Sequence, residues 1–207
     1  MKNKLTILLL LISMTTFSQS PSQWGVNENK HVPVGLNIGT KAPEFIADDH
    51  NGERVNLKEL LTKGKVVLLF YRGQWCPVCN RYLSNFQDSV QYILDRGISV
   101  IAITPETTEN AIVTIKNTGL TFSVVSDIQG EIMKKYDVLF YVTEKYQNII
   151  KNHLETDIAE NNGNKNEAAL LPVPATYIIN QNGNIEKVFF DYNYKKRATV
   201  SDILNQL

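Results

Sequence analysis

Three observations predict an α/β fold built on a central mixed sheet flanked by helices. Val66 to Phe70 (VVLLF) is a short, wholly apolar, partly β-branched run bounded by Gly64 and Gly73, the pattern of a strand buried on both faces. Beyond it, helical spacing and apolar runs alternate along the chain, which implies mostly parallel strands. Asn51-Gly52 and Asn182-Gly183 are tight-turn signals between extended runs, so hairpins are expected near both ends.

The elements follow in order. Met1 to Ser18 has the layout of a secretory signal peptide: Lys2 and Lys4, then the apolar run Leu5 to Ile12, then small residues including Thr16 and Ser18. That run falls well short of the roughly 20 residues a membrane span needs. Cleavage is therefore expected to release an exported, periplasmic or extracellular product with no membrane attachment. Residues 19–35 form a polar lead-in, no element is assigned through residue 40, and the folded domain occupies 36–207. Glu44 to Asp48 and Arg54 to Leu57 frame the first hairpin.

Leu83, Phe86, Val90, Ile93 and Leu94 recur at helical spacing, which predicts one amphipathic helix opening near Cys76. Ile98 to Thr104 and Phe122 to Ser126 read as strands, Thr107 to Asn117 and Gly130 to Tyr136 as helices. Residues 143–171 are polar, Asn-rich and partly helical, a surface insertion that interrupts the alternation. Ala175 to Asn180 and Ile185 to Phe190 form the second hairpin, and Val200, Ile203, Leu204 and Leu207 a final helix capped by Thr199 and Asp202.

Composition narrows the function. With 207 residues, 43% hydrophobic, 20% charged and a formal net charge of zero, the chain is one ordinary globular domain. It has no basic stripe to track a nucleic-acid backbone. Two cysteines stand three positions apart in Trp75-Cys76-Pro77-Val78-Cys79. A disulfide between such close neighbours restrains little of the unfolded chain, so it does not serve as a staple. Both thiols fall where a buried strand ends and a helix begins, with Pro77 suited to the first turn. Free backbone N–H groups and the helix dipole stabilise a thiolate there. A structural zinc site needs two further ligands, and His31, His50 and His153 are scattered in unlike contexts; neither metal nor cofactor is expected.

These residues carry a resemblance. Phe70-Tyr71-Arg72-Gly73-Gln74-Trp75-Cys76-Pro77-Val78-Cys79-Asn80 resembles the peroxiredoxin-like branch of the alkyl hydroperoxide reductase/thiol-specific antioxidant (AhpC/TSA) family. Ala42-Pro43-Glu44-Phe45, Ser126-Asp127 with Gly130, Leu171 to Tyr177, and Asp191-Tyr192 with Tyr194 resemble it in the same order, over roughly residues 36–207. The resemblance implies a thioredoxin-like fold and a thiol-dependent peroxidase that reduces hydroperoxides through a Cys76-Cys79 redox disulfide. A dithiol donor such as a thioredoxin-like protein would reset it. Two alternatives stay open, thiol-disulfide exchange with protein disulfides and a non-catalytic binding module on the same scaffold.

Carried over residue by residue, Cys79 falls in the family's peroxidatic slot, Cys76 in its threonine slot and Arg72 in its proline slot. Pro174 occupies the slot of a distant arginine that orients peroxide, and Arg72 is the candidate to compensate. Val173-Pro174 also resembles the cis-proline loop of thioredoxins and is expected to be cis and to face the cysteines. Tyr71 and Trp75 are candidate cleft walls. Cys76, at the helix start, is expected to react first, because burial one turn inside the helix should raise the Cys79 thiol.

Overall fold

The computed structural model describes residues 20–164 and 168–207; the expected signal peptide lies outside them. A five-stranded sheet has the order β5-β4-β3-β8-β9. Its strands are β3 (Val66–Phe70), β4 (Ser99–Thr104), β5 (Ser123–Ser126), β8 (Ala175–Ile179) and β9 (Ile185–Phe190). The pairs of β3 with β4 and β4 with β5 are parallel, and those of β3 with β8 and β8 with β9 antiparallel. The sheet is thus mixed, as the sequence predicts.

Alternation along β3 divides the core into two layers. Val67 and Leu69 face α2 (Pro77–Gln87), α3 (Gln91–Leu94), α4 (Thr108–Thr118) and α8 (Val200–Leu204). Val66, Leu68 and Phe70 face α1 (Leu57–Lys63) and α5 (Glu131–Lys135). Every residue of β3 is buried, which is why its sequence shows no polar alternation. The first hairpin is present as β1 (Ile46–Asp48) and β2 (Arg54–Asn56). The Thr199 and Asp202 capping box opens α8.

Four expectations are corrected. The helix expected to run from Cys76 to Leu94 breaks into α2 and α3. At Ser89 and Val90 the backbone switches to short-range bonds, Ser89 N–H to Phe86 O at 3.2 Å and Val90 N–H to Gln87 O at 3.3 Å. The lead-in is not without structure: Pro21–Trp24 is a 3₁₀ turn, Val26 bridges Val142, and Trp24 packs edge-on against Tyr194 at 5.4 Å.

The 143–171 segment is more than a surface insertion. It leaves and rejoins the body through the antiparallel ribbon of β6 (Leu139–Tyr141) and β7 (Leu170–Pro172). Its helices α6 (Glu144–Leu154) and α7 (Ile158–Asn161) bury Tyr146, Ile150, Ile158 and Ala159 in the core on the α2 side. Lastly, the Val173-Pro174 bond is trans. Leu139 pairs with Pro172, the Val173 N–H donates to Val138 O at 2.7 Å, and Ala175 already pairs with Phe70. The chain is held extended on both sides of the proline, so no bend is required there.

Candidate active site

The β3 strand ends at Phe70, and Tyr71 to Cys76 cross over its carboxyl end into α2, where ligand sites of open α/β sheets lie. Gly73 makes that crossing with φ +148°, and a Cβ there would stand 2.7 Å from Glu106 Oε1 and 2.6 Å from Trp75 Nε1. Cys76 is the N-cap of α2, Pro77 its first residue, and the Cys79 N–H donates to Cys76 Sγ at 3.3 Å. Both cysteines are free thiols, and both are buried, at 2% and 0% exposure. The expected difference in solvent access is therefore slight.

Two guanidinium groups flank the pair. Arg72, 2% exposed, lies over the rings of Trp75 (4.8 Å), Tyr146 (5.4 Å) and Tyr194 (4.1 Å). Its Nε and Nη1 have no hydrogen-bond partner among the described residues. Arg197, from the segment before α8, donates from Nη2 to Cys79 Sγ at 3.3 Å and from Nε to Tyr194 O at 2.9 Å, and stacks over Tyr82 at 5.0 Å.

These donors decide where the charge of the pair rests. Burial alone would push the Cys79 thiol up, but the Cys76 S–H, Arg197 and Arg72 together hold it well below the usual thiol range. Cys76 is pushed up, because its proton is held against the Cys79 sulfur and burial adds to the cost of a second charge; Arg72 and the Cys79 N–H only partly oppose this. One proton is shared, and the balance favours charge on Cys79, because Arg72 acts on both sulfurs while the Arg197 guanidinium touches only Cys79. The expectation that burial keeps Cys79 protonated fails because Arg197 stands against it.

Glu106, just past the end of β4, is fully buried and accepts the Gln74 N–H at 2.7 Å. Burial pushes its carboxyl up to about 8, and the nearby Cys79 charge adds to this. Such a group stabilises the fold below the unfolded carboxyl value of 4.5, and this contribution is lost as pH rises toward 8. Glu106→Gln is accordingly expected to flatten the fall in stability between those values and to gain roughly 1–3 kcal/mol at pH 9. Denaturant titrations of both proteins at several pH values measure this; parallel pH profiles would show that Glu106 carries no raised pKa.

Of the residues predicted from sequence, the structure brings together Arg72, Trp75, Cys76, Pro77 and Cys79. Tyr71 is fully buried in the core and walls no open cleft. Val173 is buried in the same core layer as the cysteines, and Pro174 lines a neighbouring cavity with Arg197. Sequence reasoning missed Arg197, Glu106, Tyr82 and Tyr146. Only Glu106 carried a usable signal, its place at the carboxyl end of a predicted strand. Among the described residues, no group of three or more His, Cys, Asp or Glu could hold a metal ion.

Comparison with known proteins agrees with this geometry. The AhpC/TSA family model matches residues 38–188. A thiol-disulfide oxidoreductase ResA of Bacillus cereus is 29% identical over 137 residues, 66% of this chain and 75% of that relative. A protein of Buchnera aphidicola with a provisional peroxiredoxin name is 24% identical over 163 residues, 77% of this chain and 88% of its own length. The crystal structure of the peroxidoxin BcpB from Mycobacterium tuberculosis superposes with a TM-score of 0.59 at 18% identity, covering 75% of this chain and 86% of that one. A thioredoxin-like architecture, a paired-cysteine site and a family model spanning most of the chain converge: the protein belongs to the AhpC/TSA family and is a thiol oxidoreductase.

Proposed function

We propose that the protein is a thiol-dependent peroxidase that reduces hydroperoxides and is reset by a dithiol donor such as a thioredoxin-like protein. One observation carries the reading: a buried cysteine pair set between Arg197, which donates to Cys79 Sγ, and an Arg72 whose Nε and Nη1 have no hydrogen-bond partner among the described residues. With exposures of 2% and 0%, the sulfurs admit a small oxidant far more readily than the disulfide of a folded protein. Open guanidinium donors beside a thiolate suit a reaction in which negative charge moves onto a departing oxygen.

In the proposed mechanism, the Cys79 thiolate attacks the terminal oxygen of the hydroperoxide and the O–O bond breaks. Cys79 becomes a sulfenic acid. The alkoxide leaves toward Arg72 and takes the Cys76 proton to become an alcohol. The Cys76 thiolate, one helical turn away, then attacks the Cys79 sulfur to form the disulfide. The expelled hydroxide takes the proton of the buried Glu106 carboxyl and leaves as water. Two electrons have passed from the cysteine pair to the peroxide, and a dithiol donor returns them by exchange. The leader expected over residues 1–18 would place this chemistry outside the cytoplasm.

The relatives named ResA favour a second reading, thiol-disulfide exchange on protein disulfides. Stopped-flow mixing of the reduced protein with hydrogen peroxide, beside an insulin-reduction assay, separates the two. Peroxide oxidation at least about 100-fold faster than that of a free thiol supports the peroxidase. Insulin turnover with only free-thiol peroxide reactivity supports exchange.

A further inference from the structure

A cavity of about 320 Å³ lies beside the cysteines without containing either of them. It sits between the α2 face of β8 and β9 and the segment before α8, walled by Tyr82, Pro174, Thr176, Phe189, Phe190 and Arg197. The volume falls at the lower end of the range typical of small-molecule pockets, roughly 300–1,000 Å³. Most of the wall is apolar or aromatic. Asp191 and Lys196 also line it, and they pair with each other at 3.2 Å. Arg197 is the charged residue of the wall that is not in the Asp191–Lys196 pair, and its charge faces Cys79.

Arg197 is also the group that touches Cys79 Sγ, at 3.3 Å. Tyr82, over whose ring it stacks, lies three residues after Cys79 on α2, so the guanidinium is a partition with the sulfur on one side and the cavity on the other. We propose that this cavity binds a small carboxylate with an apolar tail, its head group on Arg197, and that binding is coupled to the oxidation state of the cysteines.

The coupling follows from charge. In the dithiol form the Cys79 thiolate already occupies Arg197 and repels a second anion. In the disulfide form neither sulfur is charged, and the guanidinium is free to turn to the ligand. The carboxylate therefore binds the disulfide form more tightly. By reciprocity it shifts the cysteine equilibrium toward the disulfide, which lowers the reduction potential of the occupied protein. This holds whichever oxidant the cysteines meet, since it depends only on the charge at Cys79.

The test uses octanoate as the probe. Isothermal titration calorimetry of the intact protein is run on its disulfide form and, with excess reductant, on its dithiol form, with octylammonium as the opposite-charge control. Saturable octanoate binding to the disulfide form, at least tenfold weaker in the dithiol form and absent for octylammonium, is the expected result. Thr176→Leu, which fills the cavity from β8, should abolish binding to both forms. No saturable binding up to about 1 mM octanoate, equal affinity for the two forms, or octylammonium binding as well as octanoate would each overturn the proposal. The two head groups and two redox states of the unaltered protein decide the matter even if the variant does not fold.

Discussion

Cys79→Ser is expected to slow the reaction of the reduced protein with hydrogen peroxide by at least about 10³-fold, to the level of an unactivated thiol. The reason lies in the distribution of donors. Cys79 receives the Arg197 guanidinium at 3.3 Å, whereas Cys76 receives one neutral N–H, and the field of Arg72 acts on both. Removing Cys79 takes away the sulfur that Arg197 touches and leaves Cys76 buried, with no guanidinium donating to it. Cys76→Ser should instead retain fast oxidation, because the serine hydroxyl can still donate to the Cys79 sulfur, but the product should stop at a sulfenic acid. Stopped-flow fluorescence with trapping of the sulfenic acid by dimedone reads both variants. If Cys76→Ser loses the fast phase and Cys79→Ser keeps it, Cys76 is the attacking sulfur and the charge does not rest on Cys79.

Arg72→Met is expected to cost about 10²–10³-fold in the peroxide reaction and to act on stability in opposite directions in the two redox states. Methionine can fill the aromatic box of Trp75, Tyr146 and Tyr194 without a charge. In the disulfide form the Arg72 charge is buried with no anion beside it, so its removal should leave the melting temperature unchanged or raise it. The dithiol form should melt lower, since its thiolate loses a partner. Arginine thus favours the reduced form, and the variant should be a weaker oxidant, its potential lower by about 30 mV for each tenfold change in the equilibrium. Redox titration against glutathione, with melting curves of both forms, reads this out. Equal destabilisation of the two forms would show that Arg72 only packs.

Much of the fold was legible because its signals are local. Val66–Phe70 is uniformly apolar because it is central and covered on both faces, and the Asn-Gly pairs mark turns because the glycine accepts a positive φ, +78° at Gly52 and +76° at Gly183. The cysteine motif was legible for the same reason: a strand end, a proline at the first helical position and a thiol at the N-cap are all set within a dozen residues. The β6–β7 ribbon was not, because its strands span three residues each and pair across the whole 143–171 segment. Nor was the trans state of Val173-Pro174, which depends on bonds to Val138 and Phe70 rather than on the dipeptide itself.

By itself, the sequence determined the sheet, its hairpins and the placement of Cys76 and Cys79 at the mouth of α2, because strand alternation, turn chemistry and helix capping act between near neighbours. Tertiary structure alone decided which sulfur holds the charge. Arg197 lies 118 residues beyond Cys79, and Tyr146 reaches Arg72 from a segment that reads as a polar insertion. A thiol pKa is set by the charges and dipoles within a few ångströms, whatever their separation along the chain, and only the folded packing brings those groups together.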